Sequence, residues 1–271
     1  VSGGTPKTDR IEYWENGDIL WATPTDITNN GKYINSTGKT ITKLGLQNSS
    51  ARLVPKGSIL MTSRATIGER SINTLEMSTN QGFKALICKD NTYNEYIYYY
   101  IDILLPEILK NSSGSTFKEI SKAKTEVLLL AIPSFIEQKK IAEILSSVDD
   151  HIEKLDETIS EYELLKKGMM KKLLTEGIGH TEFKDTEIGR IPKDWEVRKL
   201  GEVSNFRQGF QISRNFQQTE PFENSVRYLY ITDFFSDKNT LFVQDKEDYY
   251  HIQKNDICIA NTGNTCGKSF R

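Results

Sequence analysis

The stretch Gly263-Asn264-Thr265-Cys266-Gly267-Lys268-Ser269 is where this sequence comes nearest to a reactive site. A glycine-rich turn followed by Lys and Ser is how a P-loop wraps nucleotide phosphates before its helix begins. The spacing excludes that reading. Four residues must separate the glycines, and here there are three, with Thr262 standing where the earlier glycine would be. The three histidines, His151, His180 and His251, are isolated. The three cysteines, Cys88, Cys258 and Cys266, fit neither a zinc site nor a disulfide framework. There is no H-E-x-x-H, no G-x-S-x-G and no dinucleotide-type glycine fingerprint, and acids such as Glu153 and Glu157 read as solvated charge. No catalytic residue, metal ligand or cofactor is therefore assigned to this chain.

Short polar segments are better placed to bind than to react. Thr62-Ser63-Arg64-Ala65-Thr66 follows an apolar run and offers hydroxyls with a guanidinium able to fork onto guanine or phosphate. Asn80-Gln81-Gly82 carries two amides of the kind that pair with adenine. Ser112-Ser113-Gly114-Ser115-Thr116 precedes an expected helix start, a natural phosphate site, with Lys118 just beyond. Ser2-Gly3-Gly4-Thr5-Pro6-Lys7 is a flexible loop with a cation. The candidate DNA contacts are thus Thr5, Lys7, Ser63, Arg64, Thr66, Asn80, Gln81, Ser113, Ser115 and Lys118. Each segment also has a plainer use. Ser115 and Thr116 can cap a helix, Asn80 and Gln81 can bond their own backbone, and Arg64 can pair with an internal acid.

The elements that must hold these segments are short. Ile19-Leu20-Trp21-Ala22, Ile59-Leu60-Met61-Thr62, Lys84-Ala85-Leu86-Ile87 and Val127-Leu128-Leu129-Leu130 read as strands bounded by turn residues. Thr92-x-x-Glu95 and Thr116-x-x-Glu119 read as capping boxes opening two helices, the first running to about Lys110 with Pro106 expected to kink or end it. Residues 1–132 therefore predict an α+β domain.

A third capping box, Ser134-x-x-Glu137, opens a proline-free run to Thr175. Within it Ile141, Leu145, Val148, Ile152, Leu155, Ile159 and Tyr162 alternate +4 and +3, a 3.5-residue seam of the coiled-coil type that packs along another helix. The 39 residues from Glu137 to Thr175 would span roughly 58 Å. Residues 149–163 hold seven acids and one lysine, so this spacer helix, within residues 133–177, is a strut rather than a DNA reader. A linker over residues 178–194 follows, and residues 195–271 form the N-terminal part of a second, similar domain.

The similarity lies in a repeat. Lys56-Gly57-Ser58-Ile59-Leu60-Met61 leads to Gly68 as Lys254-Asn255-Asp256-Ile257-Cys258-Ile259 leads to Gly267. The offset is 198 at the lysines (254 − 56) and 199 at the glycines (267 − 68), so the second copy holds one extra residue. Thr25-Asp26 recurs as Thr232-Asp233. Two like domains on a rigid spacer suit a protein that measures two separated features of one extended partner, and DNA is the obvious candidate. Charge neither demands nor excludes it: residues 1–130 carry 15 basic and 13 acidic side chains, and the whole chain has 35 and 37. The DNA footprint must then be a local face.

These residues resemble a known family. Ser2-Gly3-Gly4-Thr5-Pro6-Lys7-Thr8, Tyr13-Trp14, Thr79-Asn80-Gln81-Gly82-Phe83, Ser112-Ser113-Gly114-Ser115-Thr116-Phe117, Ile132-Pro133 with Glu137-Gln138-Lys139-Lys140-Ile141, and Ile191-Pro192-x-x-Trp195 resemble the specificity (S) subunits of type I restriction–modification systems, over nearly the whole chain. The resemblance implies a DNA-recognition subunit without a catalytic site. Its two target recognition domains each read half of a split DNA sequence, and two long antiparallel helices set the gap. Its implied partners are double-stranded DNA, modification subunits that carry S-adenosylmethionine and methylate adenine, and, through the complex, restriction subunits that use ATP and Mg. By that pattern this chain lacks the start of its first domain, the rest of its second and the second helix, so the seam is also open to pairing with a second copy. The rival readings are a stand-alone DNA-binding regulator and, behind it, a methyltransferase or nuclease in its own right. The first would bind its site without a modification subunit; the second meets no Asn-Pro-Pro-Tyr-type motif. The cysteine usage, the lack of an apolar run of about 18 residues and the lack of a secretory signal predict a cytoplasmic protein with no membrane span.

Overall fold

The structure is a computed structural model and describes residues 1–114, 118–234, 240–246, 250–261 and 266–270. It is a mixed α+β fold with one very long helix, in two compact units, Val1–Gly168 and Met169–Arg271. The first unit contains β1 (Ile19–Ala22), α1 (Pro24–Asn30), β2 (Tyr33–Ile34), β3 (Thr40–Ile41), α2 (Lys43–Gln47), β4 (Ile59–Thr62), β5 (Arg70–Asn73), β6 (Ser78–Thr79), β7 (Phe83–Leu86), α3 (Asn94–Asn111) and α4 (Lys122–Glu126). Helix α5 (Phe135–Glu176) starts there and continues past Gly168. Among the described residues no helix is long and apolar enough to cross a membrane.

Strand β4 is the centre of the first unit because all four of its residues are buried. Successive strand side chains point to opposite faces, and here both faces are covered. Leu60 joins Ala22, Ile27, Ile34, Val54, Met77, Phe83 and Ala85 on one side. Ile59 and Met61 join Ile72 and the buried face of α3, Tyr96, Ile97, Ile101 and Ile108, on the other. The sheet has the order β2-β5-β4-β7, with β4 antiparallel to both β5 and β7. A second sheet, β3-β1-β6, lies beside it.

Several sequence expectations change. The strand expected at Val127-Leu128-Leu129-Leu130 does not form. The hydroxyls of Tyr100 and Tyr96 take the N–H and C=O of Ala131, at 3.0 and 2.8 Å, so the segment is tied to α3 rather than to a strand, and Leu129 is left 91% exposed. The Thr92/Glu95 capping box does not form either. Helix α3 starts after Tyr93, and the Glu95 carboxylate is drawn away by Lys32 and Tyr33. Pro106 lies inside α3, which continues to Asn111. Thr116 lies outside the described residues. Glu119 sits in a β-bridge instead of a first helical turn, and α4 begins at Lys122 after Ser121, whose Oγ accepts from Lys124 N–H at 3.3 Å. At Ser134 the serine half of the expected capping box is present, with Oγ accepting from Glu137 N–H at 3.3 Å.

The second unit holds β8 (Phe183–Thr186) paired with β9 (Gly189–Pro192), the helical turn α6 (Leu200–Val203), β10 (Ser225–Tyr228) paired with β11 (Leu241–Gln244), and β12 (Cys258–Ile259) paired with β13 (Ser269–Phe270). The sequence repeat is also a repeat of hydrogen bonds. Thr62 N–H donates to Glu69 O at 2.8 Å and Gly68 N–H to Thr62 O at 3.0 Å. The counterparts are Ala260 N–H to Lys268 O at 3.0 Å and Gly267 N–H to Ala260 O at 2.8 Å. Both glycines have positive φ, +99° and +85°, the region that glycine enters at little cost. The turn before each strand repeats as well, Ser58 N–H to Pro55 O and Asp256 N–H to Gln253 O. Asp26 Oδ2 accepts from Thr23 N–H at 2.7 Å, as Asp233 Oδ2 does from Tyr230 N–H at 2.6 Å. The P-loop lookalike sits in this second hairpin. Gly263, Asn264 and Thr265 lie outside the described residues, and Ser269 begins a strand where a P-loop needs a helix.

Candidate nucleic-acid interface

Four polar segments of the first unit converge where β4 ends and β7 begins. The N-terminal loop is laid on the residues before β7: Gly4 N–H donates to Thr79 O at 2.9 Å, and the Thr5 hydroxyl donates to the Gln81 side-chain oxygen. Gly3 is required for this approach, since a Cβ there would lie 1.9 Å from Asn80 O. The loop after β4 is joined to the same place by Ser63 N–H to Gly82 O, 2.7 Å. The segment before α4 completes the group. Ser113 and Glu119 exchange backbone bonds of 3.0 and 2.9 Å, and Ile120 N–H donates to Ser63 O at 3.0 Å.

Within this group Lys7, Arg64, Thr66, Gln81, Ser113 and Lys118 are exposed, and Thr5 and Asn80 are half-buried. Ser63 is buried, its Oγ donating to Gly82 O at 3.1 Å and accepting from Lys84. It therefore serves the fold of the loops rather than their outer surface. Asn80 Oδ1 accepts from Gly82 N–H at 2.9 Å, the internal use open to it from sequence. Ser115 lies outside the described residues. At the tip of the loop after β4, Ala65 has φ +63°, a left-handed conformation uncommon for a residue with a side chain.

Beneath the four segments lies Lys84, whose side chain is 9% exposed. A cation taken out of water needs partners. Its Nζ donates to Ser63 Oγ at 3.0 Å and to Glu119 Oε1 at 3.3 Å. From sequence, Lys84 falls in an expected strand and Glu119 in an expected capping box, and neither stands among the candidate interface residues. The signal was a lysine inside the apolar run Phe83-Lys84-Ala85-Leu86.

Helix α5 uses a face that the heptad seam did not reveal. Gln138 and Ala142 are fully buried, and Ser146 and Asp149 continue the same stripe. Ser146 Oγ meets Lys32 Nζ and donates to Glu95 Oε2 at 3.2 Å, and Tyr99 donates to Asp149 Oδ2 at 2.5 Å. Lys32 also donates to Glu95 at 3.0 Å and to Tyr99 at 3.1 Å. Burial draws the Lys32 pKa down, but these hydrogen bonds and the Glu95 charge outweigh it and hold the ammonium above its usual value. Burial and the hydrogen bond to Glu95 push Tyr33 up to about 12. At its start the adjoining seam packs on the apolar cluster of the unit through Ile141. Val148, Ile152, Leu155, Ile159 and Tyr162 are 50–67% exposed. Beyond Asp149 an open groove runs between Lys32, Tyr33 and Tyr98 on one wall and Asp150, Glu153, Asp156, Glu157 and Glu161 of α5 on the other. That wall repels phosphate, so the polar loops, not the helix, are the face suited to nucleic acid.

The family described as "Type I restriction modification DNA specificity domain" matches residues 1–162 and 192–270. The chain belongs to this family. Its similarity to other specificity-domain proteins spans two domains of life. The MjaIX type I restriction enzyme specificity subunit of Methanocaldococcus jannaschii is 38% identical over 219 residues, covering 77% of this chain and 50% of that protein. The EcoprrI specificity subunit of Escherichia coli is 27% identical over 220 residues, covering 78% and 53%. The chain thus spans about half the length of these relatives. A crystal structure of a type I restriction–modification S subunit from M. genitalium aligns with the whole chain and 64% of its own, at 16% identity and a TM-score of 0.46. For a type I specificity-domain protein, the convergence of loops and the base of α5 are the two features that its geometry adds to its sequence.

Proposed function

We propose that this chain is a DNA-recognition subunit, or part of one, of a type I restriction–modification complex. The loop face of the first unit reads one half of a split double-stranded target, and the second unit begins the reader of the other half. The observation that carries this reading is the convergence of four polar, loop-borne segments on one end of a rigid sheet. Arg64 supplies the fork for guanine or phosphate, Gln81 an amide for a base edge, and Lys7 and Lys118 the phosphate contacts. Phosphate contacts set position, and base contacts set sequence.

Helix α5 sets the separation. Its 42 residues extend about 63 Å, more than one DNA turn of roughly 34–36 Å, which suits a target whose halves are separated by unread base pairs. The seam, apolar and mostly exposed, takes a helix: the second spacer helix, a modification subunit, or the seam of a second copy. Methylation and cleavage belong to modification and restriction subunits with their S-adenosylmethionine, ATP and Mg, and the complex acts on DNA in the cytoplasm.

Selection from randomised DNA tests this. With its modification subunit present, the chain is expected to enrich a defined half-site, and methyl-transfer assays on the chain alone are expected to be blank. Binding without sequence preference would overturn the reading.

A further inference from the structure

We propose that Lys84 is a positioning residue of the loop face, acting through Ser63 and Glu119 without touching DNA, and that it does so by two means. It fixes the loop after β4 against the segment that precedes α4, and it neutralises a carboxylate that would otherwise face the phosphates. This rests on the DNA-reading function proposed above.

The first part follows from connectivity. Ser63 is the first residue after β4, and its oxygens engage three neighbours: Oγ meets Lys84 Nζ and Gly82 O, and its carbonyl accepts from Ile120 N–H. Glu119, on the other arm of the ammonium, is held by its double backbone bond to Ser113. Lys84 itself forms a β-bridge with Ser2. One buried cation therefore contacts or adjoins all four segments that make the face. Without it, Ser63 Oγ keeps its bond to Gly82 O but loses the donor that ties it to Glu119, so the two segments lose their side-chain link.

The second part follows from charge. Across residues 2–7, 63–67, 80–82 and 112–119 the sequence contains the cations Lys7, Arg64 and Lys118, and one acid, Glu119. The Glu119 side chain is 42% exposed, while Lys84 is nearly covered. The pair thus shows its acid outward and keeps its cation beneath. With Lys84 in place the carboxylate is neutralised. Without it a bare anion stands in a face meant for a polyanion, and like charges brought together at an interface oppose binding.

The test compares Lys84→Met, Lys84→Arg, Glu119→Gln and the double variant Lys84→Met/Glu119→Gln in the whole chain. In hydrogen exchange, Lys84→Met is expected to speed the amides of Ser113, Glu119 and Ile120 while those of β4 keep their protection. Unchanged exchange at those three amides overturns the positioning role, whatever the chain binds. In DNA binding, measured on the half-site that the wild type selects, Lys84→Met is expected to weaken affinity by about tenfold or more. Lys84→Arg is expected to stay near wild type, and the double variant to bind measurably tighter than Lys84→Met while staying below wild type, because it removes the bare acid without restoring the tie. A double variant as weak as Lys84→Met overturns the charge role, because a purely structural defect would not be repaired by removing the acid. A wild type that selects no sequence would count against the DNA-reading function itself, and the exchange measurement would still decide whether Lys84 positions the loops.

Discussion

The side-chain oxygen of Gln138 accepts a hydrogen bond from the backbone N–H of Tyr93 at 2.8 Å. This one bond fastens the base of α5 to the start of α3. The Gln138 amide completes the joint, donating to Asn91 O at 3.1 Å and Pro133 O at 3.0 Å. Gln138 is fully buried, and the Glu137-Gln138 pair at the opening of the spacer helix thus has a structural reason in its second member.

Replacing Gln138 by Leu keeps the volume and removes all three bonds. Three backbone groups lose their partner at a part-buried joint, at a cost of about 1–3 kcal/mol for each one that water cannot reach. Urea unfolding of Gln138→Leu is expected to show a loss of about 2–4 kcal/mol. A loss below about 0.5 kcal/mol would mean that the joint is held by its apolar neighbours.

Glu95 carries the pH dependence of the next turns of α5. Burial alone would raise its pKa, but hydrogen bonds from Tyr33 and Lys32 and the Lys32 charge hold it below its ordinary 4.5. A carboxyl depressed in the fold stabilises fully above its unfolded value, and that stability is lost as pH falls through the folded value. Lys32, held above its ordinary value, acts on the opposite limb: its contribution is complete below the ordinary lysine value and lost only as pH rises through the folded one. Glu95→Gln is therefore expected to lower the Tm at neutral pH and to converge with wild type as pH falls below 4.5. Melting curves that stay parallel into strong acid would show that the Glu95 charge is not what holds this network.

Arg64→Ala is expected to weaken DNA binding by about 1–3 kcal/mol if the guanidinium reads a base, and to relax sequence preference at one position. A phosphate contact would instead lower affinity evenly across sequences and flatten the salt dependence. Fluorescence anisotropy over a salt series separates the two. Affinity equal to wild type would place Arg64 in the service of its own loop.

Leu155 is 63% exposed on the seam, so Leu155→Glu is expected to change the stability of the chain by no more than about 0.5 kcal/mol. If the seam receives a helix, the same charge breaks that packing. Gel filtration with the modification subunit, and light scattering on the chain alone, are expected to show lost assembly with an intact fold. Full assembly by the variant would remove the seam as a docking face.

Much of this was legible in advance because it is periodic or punctuated. The strand at Ile59, the strand expected at Lys84–Ile87 and found one residue earlier at Phe83–Leu86, the Ser134 helix start and the repeat that becomes the matched hairpins all show in spacing. The docking stripe of α5 was not legible, because Gln138, Ala142, Ser146 and Asp149 are mostly polar or small, and hydrophobic periodicity is blind to a polar joint. Residues 127–130 misled for the opposite reason. Their apolar run resembles a strand, but a strand needs a neighbour, and two tyrosine hydroxyls took the place of one. The polar loops were visible as compositions; that four of them share one end of a sheet depended on long-range pairings that no local pattern records.

The two matched hairpins share only main-chain bonds. At the position where the first has Thr62, the second has Ala260, and the second spans one residue more between its closing partners. A clasp made of amides and carbonyls is indifferent to what is written between its ends. The loop after the strand can therefore change its letters, and even its length, while the sheet behind it stays as it was. A protein built this way can acquire a new vocabulary without acquiring a new grammar.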